Sequence, residues 1–315
     1  MTRRGRRKLW IPARCGYDAC MPALTKTLTL ADGRTVDVFL GGDASGLPLV
    51  MHHGTPSDST TFADWDGSCS ARGLRLICAS RPGYATSSRL AGRDVVHAAY
   101  DTAALLDRLG HDRFITAGWS GGGPHALACA AMLPDRCAAA ATLAGVGPYG
   151  MPDLDFLAGM GPENVSEFSA ALSGEPVLRA WKHEHGEAFR HVTGAELATA
   201  FGGLVPDIDK EVLTGGYAEQ LAAEMRRALE HGFDGWVDDD LAFTRPWGFE
   251  LASIVRPVTV WQGELDLMVP FEHGRWLARQ VPGARSELVS GHGHLSLVTR
   301  YRDEILDDLL AAARQ

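Results

Sequence analysis

Apolar and polar positions alternate through "TKTLTLADGRTVDVFLGG", Thr25 to Gly42, on both sides of Asp32-Gly33. A two-residue period broken by an Asp-Gly pair predicts an opening β-hairpin. The next run, "LPLVMHHG", is apolar without alternation and ends in a glycine turn; "LRLICAS", "RFITAG" and "CAAAATLAGV" have the same character. Such runs read as strands buried on both faces. Helical spacing separates them, over about Ser59 to Arg72, Asp94 to Leu109, and Gly123 to Leu133, where Pro134 stops it.

The rhythm changes at Gly147. From there to about Glu250 the pattern gives helices and turns and no convincing strand. "TGAELATAF" opens with a capping box, Thr193 to Glu196, and "YAEQLAAEMRRALEHGF" is strongly patterned as a helix. After "SIVR" the earlier order returns, with strand "PVTVWQG", a helix over about Glu272 to Val281, strand "ARSELVS" and a final helix. The expected architecture is α/β, a mostly parallel doubly wound sheet with a helical segment inserted after strand six. Residues 25–146 and 251–315 form its core, 147–250 the insertion, and 1–24 a basic extension.

Composition narrows the classes. Of 315 residues, 45% are hydrophobic and 22% charged, which excludes wholesale disorder and a coiled coil. A net charge of -9 argues against a general nucleic-acid binder, which needs a basic face. "ALACAAML" and "CAAAATLAGV" are too short to span a bilayer, so no membrane partner is expected. The basic leader "MTRRGRRKLWIPARCGYDAC" has no apolar stretch of signal-peptide length, and a cytoplasmic location is expected. The leader is expected to be disordered or to precede a functional start at Met21; a basic arm for anionic surfaces is the alternative. Cys15, Cys20, Cys69, Cys78, Cys129 and Cys137 form no CxxC pair, and free buried thiols are expected rather than disulfides or a metal site.

In "ITAGWSGGGP" one hydroxyl, Ser120, stands among glycines between a buried strand and a helix. A G-x-S-x-G stretch alone is a weak signal. In this setting it reads as a strained turn that lifts the serine above the sheet edge, with Gly118, Gly121 and Gly122 avoiding clashes. No Lys-Ser or Lys-Thr pair follows, so a phosphate loop is not indicated.

From Thr25 onward the chain resembles the α/β-hydrolase fold family. "WQGELDLMVP" is similar to the family's acid segment and "VSGHGHLSL" to its histidine loop. The resemblance implies a catalytic set of Ser120, Asp266 and His294, in the family's chain order. The pattern selects Asp266 over Glu264, and His294 over His292. "HHGTPSD" resembles the His-Gly-x-Pro turn, which implies an oxyanion hole from the backbone N–H groups of Thr55 and Gly121. The Thr55 hydroxyl is a further candidate donor. "SRPGYATSS" resembles a turn in which Arg81 and Tyr84 are scaffold. His53 is expected to bond loop backbone and His52 to pack. Adjacent strand residues face opposite ways, so this pair is not expected to chelate a metal, and no cofactor is implied.

Residues 147–250 take the place of the family's helical cap. Trp119, and Trp181, Trp236 and Trp247 among the cap aromatics, are candidate substrate contacts. The triple acid Asp238 to Asp240 is expected to form a solvated turn, with helix N-capping or a polar contact at the pocket mouth as the alternatives. The implied function is a serine hydrolase acting on a small or medium carboxylic ester, lactone or amide through an acyl-enzyme. Carbon–carbon bond hydrolysis, perhydrolysis, acyl transfer or cyclisation on the same residues, and a non-enzymatic small-molecule receptor, stay open. The expected partner is a small-molecule substrate, with self-association as a homo-oligomer left open.

Overall fold

The computed structural model describes residues 25–314; the basic leader, with Cys15 and Cys20, lies outside the described residues. In chain order the elements are β1 (Thr25–Thr29), β2 (Thr35–Gly42), β3 (Leu47–His52), α1 (Asp66–Ser70), β4 (Leu74–Ala79), α2 (His97–Leu109), β5 (Phe114–Trp119), α3 (Gly123–Met132) and β6 (Cys137–Leu143). Six helices follow without a strand: α4 (Pro162–Leu172), α5 (Glu175–His185), α6 (Gly194–Ala200), α7 (Asp207–Val212), α8 (Gly215–Ala228) and α9 (Asp234–Phe243). The chain ends with β7 (Val258–Gly263), α10 (Phe271–Gln280), β8 (Arg285–Val289), α11 (His294–Arg300) and α12 (Arg302–Ala312).

The strands form one sheet of order β1-β2-β4-β3-β5-β6-β7-β8. β2 pairs antiparallel with both β1 and β4, and every later pairing is parallel. This is an α/β-hydrolase fold. The opening hairpin turns where Asp-Gly stands: Thr29 pairs with Thr35, and Gly33 takes φ +86°, a left-handed conformation that glycine adopts without strain.

Side-chain alternation divides the core between the two faces. Leu49, Met51, Leu76, Cys78, Ala139 and Ala141 join one buried cluster, closed by Leu297, Ile305 and Leu309. Val50, Ile77 and Ala140 join the other, beneath Leu106, Leu127 and Leu277. Cys69, Cys78, Cys129 and Cys137 are free and buried, and burial pushes the Cys69 and Cys129 thiols up to about 12.

Two helices differ from expectation. The segment read as Ser59 to Arg72 is only a 3₁₀ turn, Ala63–Trp65, and the short α1, in a stretch rich in Asp, Ser and Gly. The one predicted from Asp94 starts at His97, and the Val96 N–H just before it donates to the Trp247 carbonyl at 2.9 Å.

The triple acid is not a solvated turn. Asp238, Asp239 and Asp240 lie on α9 with 2%, 0% and 1% exposure. Each meets one or two basic side chains of its own. Asp238 accepts two bonds from Arg89 at 2.8 and 2.9 Å, and Asp239 meets Arg81 at 2.7 Å and Arg93 at 2.6 Å. Asp240 meets the buried Lys182 at 2.6 Å. Lys182 also pairs with Glu167, and its ammonium lies 3.5 Å from the centre of the Trp236 ring.

Lys182→Ala should cost about 3–5 kcal/mol, because it strands two buried carboxyls. Burial already pushes the Asp240 carboxyl up against the pull of Lys182. Without the ammonium, the folded chain would hold a proton at neutral pH that the unfolded chain has already released above about pH 4. The deficit therefore grows as pH rises and shrinks as it falls. Chemical denaturation of both proteins at acidic and neutral pH measures this.

Candidate active site

β5 is buried along its whole length and delivers the chain to Ser120. Ser120 takes φ +57°, a left-handed conformation unusual for a residue with a Cβ and held here by tight surroundings. A Cβ on Gly118 would stand 2.0 Å from the Gly122 carbonyl oxygen, and one on Gly122 would stand 2.1 Å from that of His52. The glycines are therefore required for close packing of the turn against β3. Pro124 sits in the first turn of α3, where its missing N–H costs nothing.

Asp266 follows β7 and is 3% exposed. Its Oδ1 accepts the N–H groups of Met268 and Val269 at 2.9 and 2.8 Å, and its Oδ2 accepts from Gln262 Nε2 at 3.2 Å. The same Oδ2 takes Nδ1–H of His294 at 2.7 Å, which leaves Nε2 of His294 as the unprotonated nitrogen of the neutral ring. The indole of Trp119 packs against that ring, with centroids 5.2 Å apart. Ser120 and His294 line one cavity. Among the described residues the Ser120 hydroxyl makes no hydrogen bond. Glu264 turns away to Ser290 and Gly291, and His292 packs edge-on against Tyr301.

Two residues missed from the sequence hold this arrangement. Asp209, on α7, is fully buried and accepts the N–H groups of Leu295 at 3.1 Å and Ser296 at 2.8 Å. It thus caps the helix that His294 begins, from a segment remote in the chain. Gly293 makes room for it, since a Cβ there would stand 2.5 Å from the Asp209 carboxylate.

The second is Asp239. Its Oδ2 accepts the hydroxyls of Thr55 and Tyr84, each at 2.8 Å, as well as Arg81. Burial opposes its charge, but Arg81 and Arg93 outweigh burial and hold the carboxyl well below the usual range. Arg81 in turn donates to the carbonyls of His53 and Gly54, and its own N–H donates to His53 Nε2 at 2.9 Å. Burial, then the Arg81 charge, holds the His53 imidazole well below its ordinary pKa, so it stays neutral. The Gly54-Thr55 loop is fixed by this network. Its Thr55 N–H has no hydrogen-bond partner among the described residues, and Gly121 lies beside it: a Cβ on Gly121 would meet Thr55 Oγ1 at 2.3 Å. The Thr55 hydroxyl, considered above as a donor to substrate, has its one proton committed to Asp239.

The cavity holds about 480 Å³ and is walled by the helical segment. Trp119, Trp181 and Trp236 line it. Trp247 is not a lining residue; it is buried in the core, its ring tilted against Phe249 with centroids 5.9 Å apart. Among the described residues no three His, Cys, Asp or Glu side chains are grouped to hold a metal ion, and no helix is long and apolar enough to cross a membrane.

A family model described as alpha/beta hydrolase fold matches residues 48–301. A non-heme chloroperoxidase of Streptomyces lividans is 33% identical over 152 residues, 47% of this chain and 54% of that protein. The chain thus spans about half the length of that relative. A bifunctional esterase/perhydrolase of Acinetobacter calcoaceticus is 26% identical over 296 residues, 91% of this chain and 99% of the relative. A bromoperoxidase structure from Bacillus anthracis superposes with a TM-score of 0.69 at 19% identity, covering 91% of this chain and 99% of that one, a likeness of fold.

Asp239→Ala should destabilise by about 3–5 kcal/mol, because two guanidinium groups lose their buried partner. Asp209→Ala should cost about 1–2 kcal/mol, the loss of a cap, with faster hydrogen exchange at Leu295 and Ser296; Asp209→Asn should recover part of both. Denaturant titration and amide exchange test the ranking.

Proposed function

The chain belongs to the alpha/beta hydrolase fold family, and on that premise we propose that it is a serine hydrolase of small or medium esters or lactones. One observation carries the reading: His294, paired with Asp266 at 2.7 Å, lines the same cavity as Ser120 on its strained turn. A serine hydroxyl is a weak nucleophile at neutral pH. In this reading Nε2 of His294 takes the Ser120 proton as Oγ attacks the ester carbonyl, and Asp266 stabilises the imidazolium. The N–H groups of Thr55 and Gly121 receive the developing oxyanion. His294 then returns the proton to the leaving alcohol, leaving an acyl group on Ser120, and water activated by the same histidine releases the acid.

Residues 147–250 act as a cap over this site, and their enclosure of the cavity favours compact esters over extended peptide chains. The esterase/perhydrolase relative, similar over 91% of this chain, favours a second outcome on the same acyl-enzyme. Hydrogen peroxide in place of water would release a peroxy acid.

Intact mass after incubation with a fluorophosphonate should show one adduct on the wild type and none on Ser120→Ala; an adduct on that variant would remove Ser120 from the role. His294→Ala should lower kcat on esters by about 10⁴–10⁶-fold. His292→Ala should have a far smaller effect, and the reverse ranking would exchange the two histidines.

A further inference from the structure

Among the ionisable groups in the cavity that have no part in this chemistry, one stands buried without a charged partner. Glu224, on α8, is 1% exposed and lines the cavity together with Ser120 and His294. Its oxygens are bonded to neutral groups, the Ser57 hydroxyl at 3.1 Å and the Gln220 amide at 3.0 Å. Among the described residues no basic side chain forms an ion pair with it. Arg227, one turn on, pairs with Asp58 at 2.7 Å. Elsewhere in the fold the buried acids of α9 each hold a base, and Asp209 holds two backbone amides. A buried carboxyl without such a partner is costly to keep in a wall.

The cavity's charge points the same way. Glu163, Glu167, Glu224 and Asp240 line it, whereas no Lys or Arg does. Lys182 is already held by Glu167 and Asp240. An incoming carboxylate would find repulsion and no free cation. The remaining wall is largely apolar, with Phe168, Phe201 and Met225 among its members.

We infer that Glu224 is a specificity-determining residue of this cavity: its carboxyl hydrogen-bonds an uncharged oxygen, hydroxyl or carbonyl, on an otherwise apolar ester or lactone, while substrates carrying a carboxylate are turned away. The inference rests on the reading of Ser120 as the nucleophile. Burial, then the nearby Asp58, pushes the Glu224 carboxyl up to about 8, so near neutrality it donates to a neutral oxygen, and as it ionises above that it adds its own charge to the acids that repel a substrate carboxylate. The groups facing it are Ser57 and Asp58 after β3, Cys78 of β4, and Tyr217, Gln220 and Arg227 of its own helix.

The test compares kcat/KM for three esters of one alcohol, with plain, terminal-hydroxyl and terminal-carboxylate acyl chains, over a short series of lengths. At its best length the wild type should prefer the hydroxyl ester over the plain one by about tenfold, the value of one well-made neutral hydrogen bond. Glu224→Leu should abolish or reverse that preference, and Glu224→Gln, which still donates and accepts, should retain it. Discrimination against the carboxylate ester should steepen as pH rises through about 8 in the wild type and stay level in Glu224→Gln. A hydroxyl-to-plain ratio equal in all three proteins overturns the recognition role, and equal turnover of the carboxylate and plain esters overturns the exclusion. Fluorophosphonate labelling separates the two readings. Labelled proteins with unchanged ratios overturn this inference alone, whereas absence of label and of all ester turnover in the wild type overturns the hydrolase reading and this one with it.

Discussion

The carboxylate of Asp239 is the point on which the rest of the site depends. From the helix α9 it collects two guanidinium groups and two hydroxyls in a buried space, drawn from the loop after β3 and the stretch after β4. Each donor is also a structural member of its own segment: Arg81 spans the Gly54 carbonyl, and Thr55 stands against Gly121. Electrostatics in a dry interior makes such a cluster cooperative, because each bond strengthens when its neighbours are in place. The backbone amide of Thr55 owes its position to a residue 184 places away in the sequence.

Most of the frame could be read from the chain. Uniformly apolar runs marked the central strands, the Asp-Gly pair marked the hairpin, and the crowding of glycines around Ser120 marked the turn. These signals are local, since each comes from residues whose neighbours in sequence are also their neighbours in space. Asp266 and His294 were legible for a different reason, their resemblance to a family pattern, and the structure brings the two within hydrogen-bond distance.

What could not be read depends on long-range pairing. A run of three aspartates carries no sign that Arg89, Arg81 and Lys182 will each take one of them. Helical spacing alone raises the question, because consecutive positions on a helix point in different directions and cannot all face water where the helix is buried. Nothing near Asp209 marks it as a cap, since the helix it serves begins 85 residues later, at His294. Glu224 sits in an unremarkable amphipathic pattern, and only the tertiary structure turns its carboxyl toward the cavity.

The Asp209–Gly293 contact bears on how such proteins diversify. Helical segments over a common sheet invite the view that they are interchangeable modules, replaced to suit new ligands while the chemistry below is untouched. Here one half of the fit belongs to the segment and the other to the loop that carries His294, and the two halves interlock without space for a methyl group. A transplanted segment lacking the aspartate would leave the helix of His294 uncapped, and a loop with any larger residue in place of Gly293 would refuse the native one. The module boundary for recombination therefore does not coincide with the ends of the helical segment; inheritance of the two positions is joined.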